Sequence, residues 1–254
     1  MRGFSLVELI VTLALLSILA IGSSRFLLDA TDGYTATNER IQLAGYGATV
    51  LELSHRALSS ALPLSTRITA DGKCVEWLPV VEGGRYEGAP VGHASSSFGV
   101  LGFSPQVGSR LSIPTTDIYG LTSPGGVSPP VAAITGTLTD EVTVTLSADH
   151  EYLTGSPGQR IYSISDPESL CFDDARMWHY RNYGFNAVQP TSASLPSVLP
   201  DRVLLADDVD VTRSSFQLSS PSLTRNGLVS VTLALNNRHA NIQLERHINM
   251  RNVP

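Results

Sequence analysis

Residues 4–24 read FSLVELIVTLALLSILAIGSS, an apolar run carrying a single charge, Glu8. Wound as a helix, a run of this length crosses a hydrocarbon core of about 30 Å. An ordinary secretory signal differs: it has a basic leading region, a shorter apolar core and a small-residue cleavage site after that core. Here the polar residues that matter, Met1, Arg2 and Gly3, come first. The positive-inside tendency places Arg2 on the cytoplasmic side, with Arg25 as a weak counterweight. Glu8 is the costly residue, because a carboxylate at mid-membrane is disfavoured by about 2.5–3.5 kcal/mol, and by less near the interface. The bland reading of Glu8 is a headgroup-level carboxylate favoured by the helix N-terminus.

Polarity rises after Asp29, yet Ile41, Ala44, Ala48, Leu51, His55, Leu58 and Leu62 recur three and four apart, the period of an amphipathic helix. Pro63 ends it, and Thr31, Asp32 and Gly33 are a candidate break between its two halves. His55 on this face reads as a core or boundary residue satisfied by backbone rather than as a ligand.

The 21 glycines and 15 prolines fall mostly beyond the helix, where they punctuate short apolar runs in the manner of strands and turns. Residues 73–81 (KCVEWLPVV), 142–146, 160–164 and 170–172 are candidate strands, and 228–235 with 241–248 form a closing hairpin around the turn-rich NNRHA. The stretch 88–130 reads as loops with short strands. The expected fold class is α+β, with a long N-terminal helix on an antiparallel β-sheet head. The boundaries are 1–3 for a leader, 4–28 for the membrane half of the helix, 29–62 for the amphipathic half and 63–254 for the head.

Cys74 and Cys171 are the only two cysteines, with no CxxC pair and no histidine at ligand spacing, which argues against a structural zinc site. One long-range disulfide is the favoured reading, in an oxidising compartment such as a periplasm. Two buried free thiols are the alternative.

The opening RGFSLVELIVTLALLSILAIG resembles the leader of type IV prepilins and type II secretion pseudopilins, which reads G, F, S/T-L-x-E and then an apolar helix. The resemblance implies that a prepilin peptidase cuts between Gly3 and Phe4 on the cytoplasmic face and methylates Phe4. Glycine suits that position because, lacking a Cβ, it enters a tight protease site without crowding. The resemblance also implies that Glu8 pairs with the Phe4 amine of a neighbouring subunit as helices enter a filament core. The helix closing on ALP (61–63), the segment KCVEWLPVVEGGRY (73–86) and the ending HINMRNVP (247–254) further resemble minor pilins of the MSHA (mannose-sensitive haemagglutinin) pilus system. Implied partners are the prepilin peptidase, other major and minor pilins and an inner-membrane assembly platform. The implied location is the bacterial inner membrane, single-pass with a periplasmic head, and then the pilus.

Other classes fit less well. Only 16% of residues are charged and the net charge is −6, so there is no basic field for nucleic acid. No GxSxG, HExxH, P-loop or EF-hand motif occurs, so the chain is not expected to be an enzyme and no cofactor or metal is expected. An anchored hydrolase would have to use Asp173, Asp174 and His179, which read instead as an acidic turn beside an ordinary strand. Asp207, Asp208 and Asp210 are a thin calcium candidate, better read as a solvated turn. Trp178, Tyr180, Tyr183 and Phe185 suit a carbohydrate or protein contact but are better read as packing, and strand alternation puts Trp178 and Tyr180 on one face. The rivals are a type II secretion pseudopilin and an anchored periplasmic binding or adhesive module.

Overall fold

The computed structural model describes residues 6–115, 118–121, 123–136, 141–219, 227–237 and 240–250. Among the described residues one α-helix, α1 (Leu6–Ser59), precedes fourteen strands: β1 (Arg67–Ile68), β2 (Cys74–Trp77), β3 (Val80–Glu87), β4 (Ser95–Leu101), β5 (Arg110–Ser112), β6 (Val131–Thr135), β7 (Val142–His150), β8 (Arg160–Ile164), β9 (Glu168–Asp173), β10 (Arg176–Tyr180), β11 (Arg202–Ala206), β12 (Ser215–Ser219), β13 (Gly227–Asn236) and β14 (Asn241–Met250). The fold is α+β and pilin-like: a long N-terminal apolar helix packed against antiparallel sheets.

At 54 residues, α1 is about 80 Å long. It runs without interruption through Thr31, Asp32 and Gly33, where the sequence suggests a break. No proline interrupts it, and the local hydroxyls turn inward: Thr35 Oγ1 donates to the Thr31 carbonyl at 2.8 Å and Thr37 Oγ1 to that of Gly33 at 2.8 Å. The helix stops at Ser59, three residues before the expected end. Beyond it the chain bonds like a strand, the Leu62 amide donating to the Leu78 carbonyl at 2.8 Å and that of Val80 to the Ser60 carbonyl at 2.9 Å.

The buried face of α1 is Leu43, Gly47, Val50, Leu51, Ser54 and Leu58. It shares Leu51 and Leu58 with the stripe read from the sequence, but Ile41 is 66% exposed. The face turned because the helix lies close to the β13–β14 hairpin, which selects small residues. A Cβ on Gly47 would sit 2.6 Å from Leu244 Cδ1 and 3.0 Å from Leu235 Cδ1. Each buried leucine or valine contributes about 2 kcal/mol, so docking rather than intrinsic helicity holds this half of the helix.

Three sheets make up the head: β1-β2-β9-β10-β11, β12-β13-β14 and β5-β8-β3-β4-β7-β6. The main core lies where α1 meets the first two, with Val50, Leu51 and Leu58 against Val75, Trp77 and Leu170 from one sheet and Val229, Val231 and Leu233 from the other. Phe172 and Phe216 stack across it at 4.6 Å. The six-stranded sheet has its own core around Phe98, Val100, Leu111, Val144, Tyr152 and Ile161. A small cluster including Leu62, Leu78, Tyr119 and Ile164 joins the two cores.

The whole six-stranded sheet is inserted between β2 and β9, which are hydrogen-bonded neighbours. Cys74 and Cys171 face each other directly in that pairing and are disulfide-bonded, with Cα atoms 4.2 Å apart and a sequence separation of 97. The single disulfide therefore closes the neck at which the inserted sheet leaves the main core and returns to it. Of the sequence-derived strands, 73–81 divides into β2 and β3 around Leu78 and Pro79, while 160–164 coincides with β8.

Candidate assembly site

The apolar part of α1 is unlike the rest of the molecule. Leu6, Val7, Leu9, Ile10, Val11, Leu13, Leu15, Leu16, Ile18, Leu19 and Ile21 are all at least half exposed, and none of the spanning window is buried against the head. By length and composition the helix qualifies to cross a membrane. Three of its hydroxyls are absorbed by the helix: Thr12 Oγ1 donates to Leu9 O, Ser17 Oγ to Leu13 O and Ser24 Oγ to Ala20 O, at 2.7–2.9 Å. The surface offered to lipid or to other helices is thus almost wholly hydrocarbon, with Glu8 in the first turn as its one acid. Gly3 and Phe4, the residues of the expected cut, lie outside the described residues, as does the end of HINMRNVP from residue 251.

A second constellation sits at the neck. Glu76 is fully buried, and Arg67 Nε donates to its Oε2. The Tyr183 hydroxyl donates to Oε1 at 3.0 Å and is 2.7 Å from Ser169 Oγ, which must then be the donor to it. The remaining guanidinium nitrogens of Arg67 reach the carbonyls of Ala187 at 2.7 Å and Asn186 at 2.6 Å, and its Cζ lies 3.6 Å from the centre of the Tyr119 ring. The network ties the loop around residues 183–189 to β1, β2 and β9. Of its members only Tyr183 stands out in the sequence, as one of a run of aromatics, while Arg67, Glu76 and Ser169 do not. The available signal was one acid in CVEW, a strand whose four residues are all buried.

Burial raises the Glu76 carboxyl above the usual carboxylate range, and hydrogen bonds from Arg67 and Tyr183 pull it back in part. Across the interval between the ordinary and the raised value, the folded chain binds a proton that the unfolded chain has released. The group's contribution is therefore fully present below the ordinary carboxylate pKa and is lost as pH rises through the raised one. Glu76→Gln is expected to flatten that decline and to cost about 1–2 kcal/mol at neutral pH through the lost charge-assisted bonds. Urea midpoints of both proteins across mildly acidic to neutral pH measure this, and parallel pH profiles would refute it.

The other candidate residues are dispersed. Asp174 lies at the β9–β10 turn with φ 48° and pairs weakly with Arg176, 3.4 Å away. His179 is on β10, its Nε2 2.7 Å from Glu168 Oε2 and its ring stacked on Trp77 at 5.8 Å. The two are apart along the hairpin, and Asp173 pairs opposite Arg176 in the β9–β10 register. Asp207 accepts a hydrogen bond from the Tyr46 hydroxyl at 3.1 Å. Asp210 caps a turn by accepting from the amide and hydroxyl of Thr212, which holds its carboxyl below the usual range. Among the described residues, no group of three or more His, Cys, Asp or Glu converges on one point.

Trp178 and Tyr180 share a face of β10 and pack with Tyr183 and Leu195 against the disulfide, with Arg202 Cζ 3.6 Å from the Trp178 ring centre. Phe185 packs on the cluster that joins the two cores. These aromatics are engaged in holding the neck. His55 is half-buried, and its Nδ1 makes no hydrogen bond, in contrast to the backbone-satisfied histidine expected.

Residues 1–24 match the family model described as the Prokaryotic N-terminal methylation motif. No curated protein and no solved structure gives a significant match to the chain. The match covers the leader and most of the exposed apolar part of α1. It supports membrane anchoring through that helix, and it implies processing by a prepilin peptidase and assembly with other pilins in a membrane machinery. Proteins that carry this motif are structural rather than enzymatic.

Proposed function

We propose that this type IV pilin-like chain is a minor pilin of an MSHA-type type IV pilus, resembling MshO, acting where the filament is initiated or at its tip. The observation that carries this reading is a methylation-motif leader running into a helix whose apolar face is bare along its whole membrane-length segment. A helical segment that buries nothing in its own chain has lipid as one partner and other subunits' helices as the next. The segments ALP, KCVEWLPVVEGGRY and HINMRNVP support the MSHA assignment. The inserted six-stranded sheet supports a minor subunit, since bulk of that kind costs packing where many copies stack side by side but not at an end.

In this reading residues 1–3 are removed, Phe4 becomes the methylated terminus, residues 4–28 pack in the membrane and then in the filament core, and the head lies in the periplasm. The Cys74–Cys171 disulfide supports an oxidising location. The prepilin peptidase, other pilins and the inner-membrane platform are the proposed partners.

The test is the N-terminal mass of protein recovered from cells with and without prepilin peptidase. An N-methylated Phe4 terminus is expected only with the peptidase, and Gly3→Val is expected to retain Met1 in both. An intact terminus in every sample, or a cut after the apolar run, would overturn the reading. Recovery in secretion pseudopili instead of sheared MSHA-type pili would replace the pilus by a type II secretion system.

A further inference from the structure

A groove of about 600 Å³ opens between the end of α1 and the outer face of the six-stranded sheet. Ser59 and Ser60 form one wall, and Gly83, Arg85, Arg160 and Tyr162 form the floor and the other. In the β3–β8 pairing Arg85 stands directly opposite Arg160, and Gly83 directly opposite Tyr162, so all four share one face.

The facing arginines lack an explanation within the chain. Like charges directly opposite each other on paired strands, with Cβ atoms about 5 Å apart, are destabilising. Among the described residues neither guanidinium makes a hydrogen bond or an ion pair, in a protein with 23 acidic residues against 17 basic ones. Glu87, two residues along the same face of β3, pairs with neither. The C-terminal carbonyls of α1 lie at the rim, but those of Ala57 and Leu58 already accept from the amides of Ser60 and Ala61. The floor is aromatic: the Tyr162 ring packs in part on the cluster of Leu62, Leu78 and Ile164 and lies over Gly83, where a Cβ would come within 2.8 Å of its Cδ1, and it lines the groove beside the two arginines.

A planar oxyanion is what two adjacent guanidinium forks hold best, because each offers paired N–H donors at carboxylate spacing. A half-buried tyrosine beside them suits the apolar face of a ring. The groove is of small-ligand size and too small for a protein interface, which needs about 800 Å² from each partner. We propose that it binds a carboxylated saccharide, with Arg85 and Arg160 on the carboxylate and Tyr162 beneath the sugar ring. This site goes beyond the assembly reading and does not depend on it.

The experiment titrates the full-length protein in detergent with trigalacturonic acid, using lactose as the neutral control and citrate as the non-sugar anion. Trigalacturonate is expected to bind, lactose not to bind, and citrate to bind at least tenfold more weakly than the sugar. Arg85→Ala and Arg160→Ala are each expected to weaken binding about tenfold or more, while Arg213→Ala on a distant turn leaves it unchanged. Without ligand, the two groove variants are expected to melt at or above the wild-type temperature, since each relieves the facing charges. Absence of trigalacturonate binding, or citrate binding as tightly as the sugar, would overturn the proposal. So would groove variants that melt lower and bind normally, which would make the arginines structural partners of the helix end.

Discussion

Glu8→Ala is expected to be cut and methylated at the usual site yet to be lost from filaments by about two orders of magnitude. The expectation follows from where the charge sits and from what the proposed assembly does to it. Glu8 lies in the first turn of α1, beside leucines and valines that are more than half exposed. As long as that turn is near the headgroups, the carboxylate is solvated at modest cost. In a filament core the same turn is surrounded by other apolar helices, and the new Phe4 terminus brings a positive amine into the same layer. Removing one member of a charge pair in such a setting leaves the other buried and uncompensated, which costs about 3–5 kcal/mol, or more than a hundredfold in an equilibrium. Glu8→Gln is expected to fail nearly as badly, because it keeps the shape but not the charge. The measurement is the ratio of processed protein in sheared filaments to that in the membrane. Wild-type incorporation of Glu8→Ala would remove the pairing role while leaving the leader assignment intact, because processing is read separately by mass.

The leader and the helix were legible because their information is local. Composition alone marks residues 4–24 as a spanning length, and six contiguous residues from Gly3 to Glu8 carry the resemblance. The docked half of α1 was legible as a helix but not in its facing. Leu51 and Leu58 fit either stripe, and the choice was made by Leu235 and Leu244 on a hairpin almost two hundred residues away, which admit Gly47 and Ser54 at the contact but leave Ile41 in solvent. Most of the candidate strands were visible as alternating runs, but their partners were not. Nothing near Trp77 in sequence says that β2 pairs with β9 rather than with β3, because the partner strand lies beyond the whole inserted sheet. The same limit hid the Arg67–Glu76–Tyr183 network and the facing pair Arg85 and Arg160, both of which exist only through register. His179, read from the sequence as part of an ordinary strand beside an acidic turn, lies on β10 with Glu168 and Trp77 as its neighbours, contacts that its nearness in sequence to Asp174 does not reveal.

The neck disulfide is the second place where a large effect is expected. Replacing both Cys74 and Cys171 by serine should cost about 4 kcal/mol, since a cross-link spanning 97 residues removes about 4–5 kcal/mol of chain entropy from the unfolded state and the new hydroxyls gain little in a buried, apolar cluster. The size of that cost depends on how the chain opens. The closed loop contains the whole six-stranded sheet with its own core. The full entropic benefit accrues only if that sheet unfolds together with the main core. If it stayed folded while the rest opened, the loop would in effect be a short tether and the bond would contribute much less. The cluster of Leu62, Leu78, Tyr119 and Ile164 joins the two cores, and Arg67 reaches from β1 to stack on Tyr119. These contacts favour one cooperative transition. A single urea transition for wild type and for the double serine variant, displaced by about 4 kcal/mol, is therefore the expected result. Two separated transitions, with the lower one scarcely moved by the substitutions, would show the inserted sheet to be an autonomous unit carried on the neck.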